Sequence, residues 1–545
     1  MTVAAHRELE RKYELPDGAK ARIDWSVLEG YTVTDAAVEH RMEAVYYDTA
    51  SMALHRHHVA LRLRRGGADD GWQVKLRETD GRYESQFPLL EQAPERMPDA
   101  VRHLVEALTG GQPLHRIATL HTIRRVLSIA GVSGEQVGEV AIDDVEAVDH
   151  RTSTHRSWSE WEVELTDGTT AQEHQHRIFS AVEQALFAVG GRPSSSQAKI
   201  ARALGAEDLA PGDDDDVPLP ADGTTASTTG AKGQDSGRQE SAHKATGADL
   251  MVTVLGQLAE QSVLWDLKAR LEVPDAVHQL RVTSRSIRSL LKAGAPFFAG
   301  DSAAELDVRL RELARALSGA RDAEVTAELL PARIAALNAA VDPTAAQALQ
   351  HSAEQQAAEA AATVRGHLSN PEHLRLLVDV QAFAEAPPLT EKCRHLPAGK
   401  VVDSLLRRAL RKVVRVGERG MTAEDSGAEN DPGQRLEHLH EVRKAVKRVR
   451  YVNAVLKRSG FAPGTSVAHA AADAKAHQEV LGEIMDAGVL AGWLERAAES
   501  SKGTGEDRYA VGLLHGAELA AVRTGVEDGH EIVAELVTQL RHDLT

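Results

Sequence analysis

Charged residues alternate along residues 6–15, the first segment of the chain with the pattern of a β-strand. Glu8, Glu10 and Lys12 are two positions apart, so all three side chains project from one face of such a strand. Strands usually bury an apolar face, and a buried charged face requires ions or a charged ligand to balance it. The spacing therefore predicts a site where carboxylates and an ammonium group hold metal ions together with a charged ligand.

The same alternation returns in later segments, where the charges are sorted by sign. Basic residues occupy one face of the middle segments: Arg62, Arg64, Lys75, Arg77 and Arg124. Acidic residues share a face in the last two segments, with Glu139 beside Asp143 and Glu162 beside Glu164. An antiparallel sheet with one solvated face explains each strand taken singly. The sorting by sign favours a closed barrel, in which basic side chains bind phosphate oxygens and carboxylates bind divalent cations.

These segments resemble the CYTH domain of the triphosphate tunnel metalloenzyme superfamily. The resemblance rests on motifs in the family's order: Glu8-x-Glu10-x-Lys12, Leu61-Arg62-Leu63-Arg64, Val74-Lys75-Leu76, Arg124, Asp143 and Glu162-x-Glu164. It implies an eight-stranded antiparallel β tunnel with flanking helices that binds a triphosphate with Mg²⁺ or Mn²⁺.

The resemblance also implies roles for individual residues. Metal binding and catalysis fall to the acidic set, Glu8, Glu10, Asp143, Glu162 and Glu164. Phosphate binding falls to Lys12, Arg62, Arg64, Lys75 and Arg124, and Arg77 joins them as part of the same basic face. Lys199 is a further phosphate ligand by resemblance, although Ala198 stands before it where the family usually has serine.

The expected reaction is hydrolysis of a linear inorganic triphosphate to pyrophosphate and phosphate. Phosphoryl transfer requires mainly positioning and charge neutralisation, which such a tunnel supplies. Thiamine or nucleoside triphosphate hydrolysis and adenylate cyclisation are alternatives within the superfamily, and a scaffold that binds phosphate without turnover is an alternative of another class. No segment has the pattern of a base-recognition pocket, so the inorganic substrate ranks first.

The chain changes character after residue 205. Residues 206–247 contain four consecutive aspartates followed by Pro, Gly, Ser and Thr, which predicts a flexible, self-repelling linker. Apolar residues at spacings of three and four then predict an all-α domain from 248 to 545. The chain is therefore a multidomain α+β protein, with a tunnel domain at 1–205 and helical repeats at about 248–400 and 401–545.

Two predicted helices carry basic stripes at steps of three and four residues. The first comprises His278, Arg281, Arg285 and Arg288, and the second His440, Arg443, Lys447 and Arg450, with Lys444 alongside. A solvated face with intrahelical ion pairs is the simpler explanation of either stripe. However, residues 443–458 contain no acid, and an uncompensated cationic helix requires an anionic partner.

The helical half resembles the CHAD domain, on the stripe residues together with Arg321-Asp322 and Asp486. The resemblance implies two pseudo-symmetric four-helix bundles and a surface that binds inorganic polyphosphate. Nucleic acid is not favoured, because the stripes lack aromatic residues for base stacking. With one cysteine and no apolar run of the roughly 20 residues that span a bilayer, the expected location is the cytoplasm, including polyphosphate granules, with no membrane partner.

Overall fold

A computed structural model describes most of both halves of the chain. The described residues are 6–16, 23–67, 70–78, 81–165, 172–194, 196, 198–205, 245–337, 341–425, 432–500 and 505–544. They form two compact units, a β-rich unit before residue 206 and a helical unit from residue 245 onward. The predicted linker therefore lies almost entirely outside the described residues.

The β-rich unit is built on one antiparallel sheet. Its strands are β1 (His6–Glu14), β2 (Thr32–Asp48), β3 (Val59–Arg65), β4 (Gly71–Glu78), β5 (Gly81–Phe87), β6 (His115–Ala130), β7 (Gln136–Asp149), β8 (Thr154–Leu165) and β9 (Arg192–Pro193). The strand order is β5-β4-β3-β2-β6-β7-β8-β1-β9, and β1 also pairs with β5. The eight long strands therefore close a ring, as a barrel requires.

The described residues form nine strands, one more than the predicted eight. The extra strand, β9, is two residues long and pairs with Tyr13 and Glu14 at the end of β1. It forms because the chain returns along β1 after the helix that follows β8, leaving the ring itself unchanged. The predicted antiparallel sheet with flanking helices is confirmed.

Four helices of the described residues accompany the sheet: α1 (Ala53–Arg56), α2 (Asp99–Thr109), α3 (Gln172–Ala188) and α4 (Lys199–Leu204), with a short 3₁₀ turn at Trp25–Val27. Helix α3 packs its apolar residues, including Ile178 and Val182, against Trp161 and Val163 on the outside of the ring. Helix α4 packs Ile200 and Leu204 against a separate cluster that includes Tyr46 and Leu120.

Strand pairing determines which side chains share the interior face, because directly opposed residues of an antiparallel pair point to the same side. Around the ring, the pairs are Lys12 with Glu162, Glu160 with Asp143, Asp143 with Arg124, Tyr46 with Arg62, Arg62 with Gln73, and Lys75 with Glu84. The alternating apolar residues belong to the outer face, where Trp161 and Val163 contact α3. The charged faces of β1 and of β3 to β8 thus line one lumen, to which β2 contributes Tyr46.

The second unit consists of helices in the part of the chain that the structure describes. They are α5 (Gly247–Arg270), α6 (Ala276–Ala293), α7 (Ser302–Ala316), α8 (Ser318–Ala336), α9 (Pro343–Leu368), α10 (Pro371–Glu385), α11 (Glu391–His395), α12 (Ala398–Asp425), α13 (Pro432–Arg458), α14 (Thr465–Ser500) and α15 (Gly505–Leu544), with a 3₁₀ turn at Ala295–Phe297. The all-α prediction is confirmed. None of the described helices combines the length and apolar character needed to cross a bilayer.

The helix order is consistent with a duplication. Helices α12, α13, α14 and α15 each contact the other three, as in a four-helix bundle. In chain order, α7 and α8 together correspond to α14 of the second half, and α9 and α10 together correspond to α15. The helices of the first half are interrupted at Leu317, between α7 and α8, and again before Pro371, where the side chain of Asn370 caps the start of α10.

Candidate active site

Three buried carboxylates meet inside the ring. Asp143 lies on β7 and Glu160 and Glu162 lie on β8, with Asp143 directly opposite Glu160. One oxygen atom from each lies within 4.8 Å of the others. The residues are 0%, 1% and 7% exposed, respectively, so their negative charges are almost completely removed from water. Carboxylate oxygens are the ligands that Mg²⁺ and Mn²⁺ prefer, so this donor set fits a hard divalent cation.

Lys199, the first residue of α4, reaches all three carboxylates. Its Nζ lies 2.8 Å from Asp143 Oδ2, 2.7 Å from Glu160 Oε1 and 2.5 Å from Glu162 Oε1. Burial alone would lower the pKa of Lys199, but the three carboxylates raise it well above its ordinary value. The ammonium group is therefore charged and serves as a counter-ion to the acidic cluster.

Lys12 approaches the cluster from β1. Its Nζ lies 3.3 Å from Glu10 Oε1 and 3.1 Å from Glu160 Oε1, and it also donates to Glu162. The side chain is 3% exposed, and burial by itself would lower its pKa. The charges of Glu162, Glu10 and Glu160 together outweigh that effect, and the pKa is raised.

Arg124 on β6 completes the set of cations. Its Nε donates to Asp143 Oδ1 at 2.8 Å and its Nη2 to Asp143 Oδ2 at 2.7 Å, a bidentate pair, and Nη2 also donates to Glu162. Burial would raise the pKa of Glu162, but Lys12, Lys199 and Arg124 hold it well below its usual range. The carboxylate therefore remains ionised at neutral pH.

A basic wall, formed by Arg62 and Arg64 on β3 and Lys75 and Arg77 on β4, lies beside Tyr46 of β2. Arg62 donates from Nε to Gln73 Oε1 at 2.6 Å and from Nη1 to the hydroxyl of Tyr46 at 3.2 Å. Burial would raise the pKa of Tyr46, but Arg62, Lys199 and Lys75 lower it. The Tyr46 hydroxyl thus marks a place where positive charges from different elements converge.

The other predicted tunnel residues are distributed around the same face. Lys75 forms an ion pair with Glu84, Arg64 lies opposite Ala44, and Arg77 lies opposite Arg82. Glu164 lies opposite Glu10 across β1 and β8, and it is not one of the three residues that form the compact carboxylate cluster. The backbone of Glu8 pairs with Arg82, but its side chain lies outside the described part of the structure.

The sequence reasoning missed Glu160, Tyr46 and Gln73. Glu160 is two residues before Glu162, so extending the alternation by one step would have found it. Trp158, two residues earlier, is an aromatic residue on the same face, and its Nε1 donates to Glu160 Oε2 at 2.6 Å. Tyr46 and Gln73 carry no formal charge at neutral pH, and only strand pairing reveals that they lie beside Arg62.

The predicted basic stripes belong to α6 and α13, which pack against each other. Arg288 Nε donates to Asp307 Oδ1 on α7 at 3.0 Å, and Lys292 Nζ lies 3.3 Å from Asp307 Oδ2. The pKa of Arg448 on α13 is lowered, first by burial and also by the charge of Arg288. Positive charges from both helices therefore converge near Asp307.

The residues of the two basic stripes differ in how far they are buried. His278, Lys447 and Arg450 are buried, at 3%, 6% and 8% exposure, whereas Arg281, Arg285 and Arg288 are partly exposed. The predicted surface stripe is therefore partly an interior one, because α6 and α13 are each enclosed by neighbouring helices.

The remaining stripe residues are on α13. His440 lies with Nδ1 3.3 Å from the sulfur of Met485, and burial, followed by the charge of Lys444, lowers the pKa of this histidine. Arg443 Nη2 lies 3.8 Å from Asp486. Lys444 is exposed and lies 2.9 Å from Glu441.

Comparisons with known proteins agree with the two-unit architecture. A model of the CYTH domain matches residues 6–187 and a model of the CHAD domain matches residues 253–495. The closed ring with a charged interior is thus a CYTH domain, and a CHAD domain follows it. The chain as a whole belongs to the CYTH–CHAD fusion proteins.

Two curated relatives come from Mycobacterium tuberculosis. They are Uncharacterized protein MT2285 of strain CDC 1551 and Uncharacterized protein Rv2226 of strain H37Rv. Each is 28% identical to this chain over 526 residues, which cover 94% of this chain and 93% of the relative. The match thus extends over both domains.

Solved structures resemble one unit or the other. PptA from Streptomyces chartreusis is 18% identical and covers 52% of this chain and 98% of its own, with a TM-score of 0.41. The CHAD domain from the plant Ricinus communis is 21% identical and covers 52% of this chain and 93% of its own, with a TM-score of 0.40. A Hippeastrum protein, described as a putative adenylyl cyclase with a dominant triphosphatase activity, is 18% identical and covers 37% and 98%, with a TM-score of 0.25.

Proposed function

We propose that the CYTH domain hydrolyses a linear inorganic triphosphate, with Mg²⁺ or Mn²⁺, to pyrophosphate and phosphate. The observation that carries the proposal is the buried cluster of Asp143, Glu160 and Glu162, which shares a closed ring with a basic wall. Binding an anion alone needs no acidic wall. A triphosphate accompanied by divalent cations needs both walls, and membership of the CYTH family supports this substrate class.

The proposal assigns roles to the lumen residues. Phosphate oxygens would be bound by the cations Lys12, Arg62, Arg64, Lys75, Arg77, Arg124 and Lys199. The metal would be held by carboxylates from Glu8, Glu10, Asp143, Glu160, Glu162 and Glu164. When bound, the metal would supply Lewis-acid stabilisation of the charge on the transferred phosphoryl group. The fixed arginines and lysines orient the triphosphate and stabilise the charge that develops during transfer, at no further cost of reorganisation.

Phosphate release from tripolyphosphate tests the catalytic claim. Glu10→Ala and Glu160→Gln should each lower kcat/KM by about 100-fold or more, because loss of a metal ligand removes several kcal/mol of transition-state stabilisation. Glu183→Gln is the matched control. The carboxylate of Glu183 on α3 accepts hydrogen bonds from Arg11 and Tyr13 outside the ring. The activity of the Glu183→Gln protein should therefore equal that of wild type.

Substrate comparison separates the alternatives. ATP and thiamine triphosphate, assayed beside tripolyphosphate, identify the preferred triphosphate, and formation of cyclic AMP identifies a cyclase. Equal activity of wild type, Glu10→Ala and Glu160→Gln would contradict the site assignment. Tight tripolyphosphate binding without turnover under either metal would support a scaffold instead.

We further propose that the CHAD domain binds inorganic polyphosphate. The supporting observation is the convergence of positive charge from α6 and α13, with Arg288, Lys292 and Arg448 close together. A tethered domain of this kind would raise the concentration of phosphate chains near the tunnel and could hold the protein on polyphosphate granules.

Fluorescence anisotropy with labelled polyphosphate tests the second proposal in the full-length chain. Lys444→Ala on α13 should weaken binding by up to about fivefold, since one exposed charge contact contributes about 0.2–1 kcal/mol. Arg541→Ala on α15, another exposed cation paired with a glutamate, should not change the affinity. Competition by DNA as effective as competition by polyphosphate would favour a nucleic-acid partner.

A further inference from the structure

Lys199 contacts the same three side chains that could hold a metal ion. Its Nζ lies 2.5–2.8 Å from oxygens of Asp143, Glu160 and Glu162. These residues are also the described group whose oxygen atoms come within 4.8 Å of one another. The ammonium group is therefore at the centre of the donor set.

A divalent cation cannot share this position with the ammonium group. Mg²⁺ binds oxygen at about 2.0–2.1 Å, so an ion held by these carboxylates would lie within a few ångströms of Nζ. Two cations that close in a buried site repel strongly, because little water screens them. The same oxygens would also have to exchange their bonds to Nζ for bonds to the metal. Metal binding thus requires the side chain of Lys199 to leave.

The fold restricts where Lys199 can go. Its backbone begins α4, and the next residues, Ile200, Ala203 and Leu204, are packed in an apolar cluster with Tyr46. The helix therefore stays in place while the four-carbon side chain of Lys199 rotates. The positive charge of Lys199 already acts on the Tyr46 hydroxyl, together with Arg62 and Lys75 of the basic wall. The side chain can thus serve either the carboxylates or an anion at the basic wall.

We propose that Lys199 is an exchangeable counter-ion, which occupies the metal position in the metal-free protein and transfers to the triphosphate when metal binds. The inference rests on the proposed function of the tunnel. Counter-ion exchange makes the binding of metal and of triphosphate positively coupled. A bound triphosphate attracts the ammonium group away from the carboxylates, which strengthens metal binding. By linkage, a bound metal strengthens triphosphate binding by the same factor. Lys12 is also paired with Glu10 on its own strand, so it keeps a carboxylate partner when metal binds.

Titration calorimetry with Mn²⁺ on the full-length chain tests the proposal without any turnover. Lys199→Met should bind Mn²⁺ at least tenfold more tightly than wild type, because the competing cation is gone. Lys199→Arg keeps the positive charge and should bind Mn²⁺ no more than threefold more tightly. Arg202→Met is the matched control on the same helix. Arg202 pairs with Glu14 at 3.1 Å and lies over the Trp158 ring, and its ion pair in the described structure is with Glu14 and not with the three carboxylates, so its removal should leave Mn²⁺ affinity unchanged.

Coupling is measured by repeating the titrations with imidotriphosphate, a triphosphate analogue whose bridging nitrogens resist hydrolysis. Wild type should gain at least tenfold in Mn²⁺ affinity when the analogue is present, and the gain of Lys199→Met should be at least threefold smaller than that of wild type. Lys199→Met should also bind the analogue more weakly. Tighter metal binding together with weaker anion binding cannot result from simple misfolding, which would weaken both.

The possible results separate this inference from the proposed function. Unchanged or weaker Mn²⁺ binding by Lys199→Met, in a wild-type protein that hydrolyses tripolyphosphate, would overturn the counter-ion exchange and leave the triphosphatase intact. Equal gains in wild type and Lys199→Met on adding the analogue would also overturn it. A wild-type protein that binds no Mn²⁺ and hydrolyses nothing would overturn both.

Discussion

Replacement of Lys12 by methionine should destabilise the CYTH domain far more than replacement of its neighbour Arg11. The Lys12 side chain is 3% exposed and contacts three carboxylates, including Glu10 at 3.3 Å and Glu160 at 3.1 Å. Removing one partner from a buried ion pair costs about 3–5 kcal/mol, because the other charge remains buried and uncompensated. Lys199 still neutralises part of the cluster, so we expect a loss near the lower limit, about 3 kcal/mol.

Arg11 provides the comparison because it points to the other face of the same strand. Its side chain is 42% exposed, pairs with Glu183 at 2.9 Å and lies over the ring of Phe179. An exposed ion pair contributes about 0–1 kcal/mol, so Arg11→Met should change the free energy of unfolding by about 1 kcal/mol or less. The two adjacent variants thus differ by at least about 2 kcal/mol for a purely geometric reason.

Equilibrium urea unfolding in EDTA, followed by tryptophan fluorescence, measures both variants. Four of the six tryptophans, Trp25, Trp72, Trp158 and Trp161, belong to the N-terminal unit, so its transition dominates the signal. Repeating the experiment with Mn²⁺ should recover part of the stability lost in Lys12→Met, because a cation returns to the carboxylates. A Lys12→Met protein as stable as Arg11→Met in EDTA would refute the claim that this strand directs Lys12 into a buried acidic cluster.

Three other outcomes follow from the structure. Asp307→Asn removes the carboxylate that holds Arg288 and Lys292, so fluorescence anisotropy should show that polyphosphate binds roughly five- to tenfold more tightly, about 1 kcal/mol. Asp379→Asn, which loses only an exposed pair with Arg309, should show no change in affinity. Weaker polyphosphate binding by a folded Asp307→Asn protein would contradict this prediction. Burial lowers the pKa of His57 to about 4, so the contribution of this histidine to the free energy of unfolding is complete above pH 6.5 and is lost as the pH falls toward 4. Over that range His57→Gln should lose roughly 3 kcal/mol less stability than wild type in thermal or urea unfolding. Equal pH dependence of stability in the two proteins would refute the assignment. Chelation by EDTA should abolish phosphate release and excess Mg²⁺ should restore it, and activity that persists in EDTA would exclude a metal requirement.

Alternation alone identified most of the lumen face, because a period of two is a local property of a strand. Lys12, Arg62, Lys75 and Asp143 all lie on the side that their spacing predicted, as strand pairing shows. Closure of the ring could not be predicted in this way, since it depends on β1 pairing with both β5 and β8, far away in the chain.

Local spacing could not place residues that act through long-range contacts. The contacts of Lys199 depend on the position of α4, which is fixed by apolar packing of Ile200 and Leu204. In the helical unit, spacing correctly placed His278 on the stripe of α6 but not in the interior. Its burial depends on the helices around it, whose packing is not encoded in the period of one helix.

The lumen must remain close to electrically neutral both without and with its ligands, and this restricts the order in which ligands can bind. Without ligands, Lys12, Lys199 and Arg124 face the carboxylates Glu10, Asp143, Glu160 and Glu162, so this acidic side of the lumen carries one more negative than positive charge. A triphosphate entering alone would add several negative charges, and a metal ion entering alone would face ammonium and guanidinium groups at its own ligands. Each ligand therefore relieves the repulsion that opposes the other, which favours their entry as a metal–triphosphate complex. On this reasoning free tripolyphosphate should inhibit the proposed hydrolysis only weakly, because it lacks the cation that the carboxylates require.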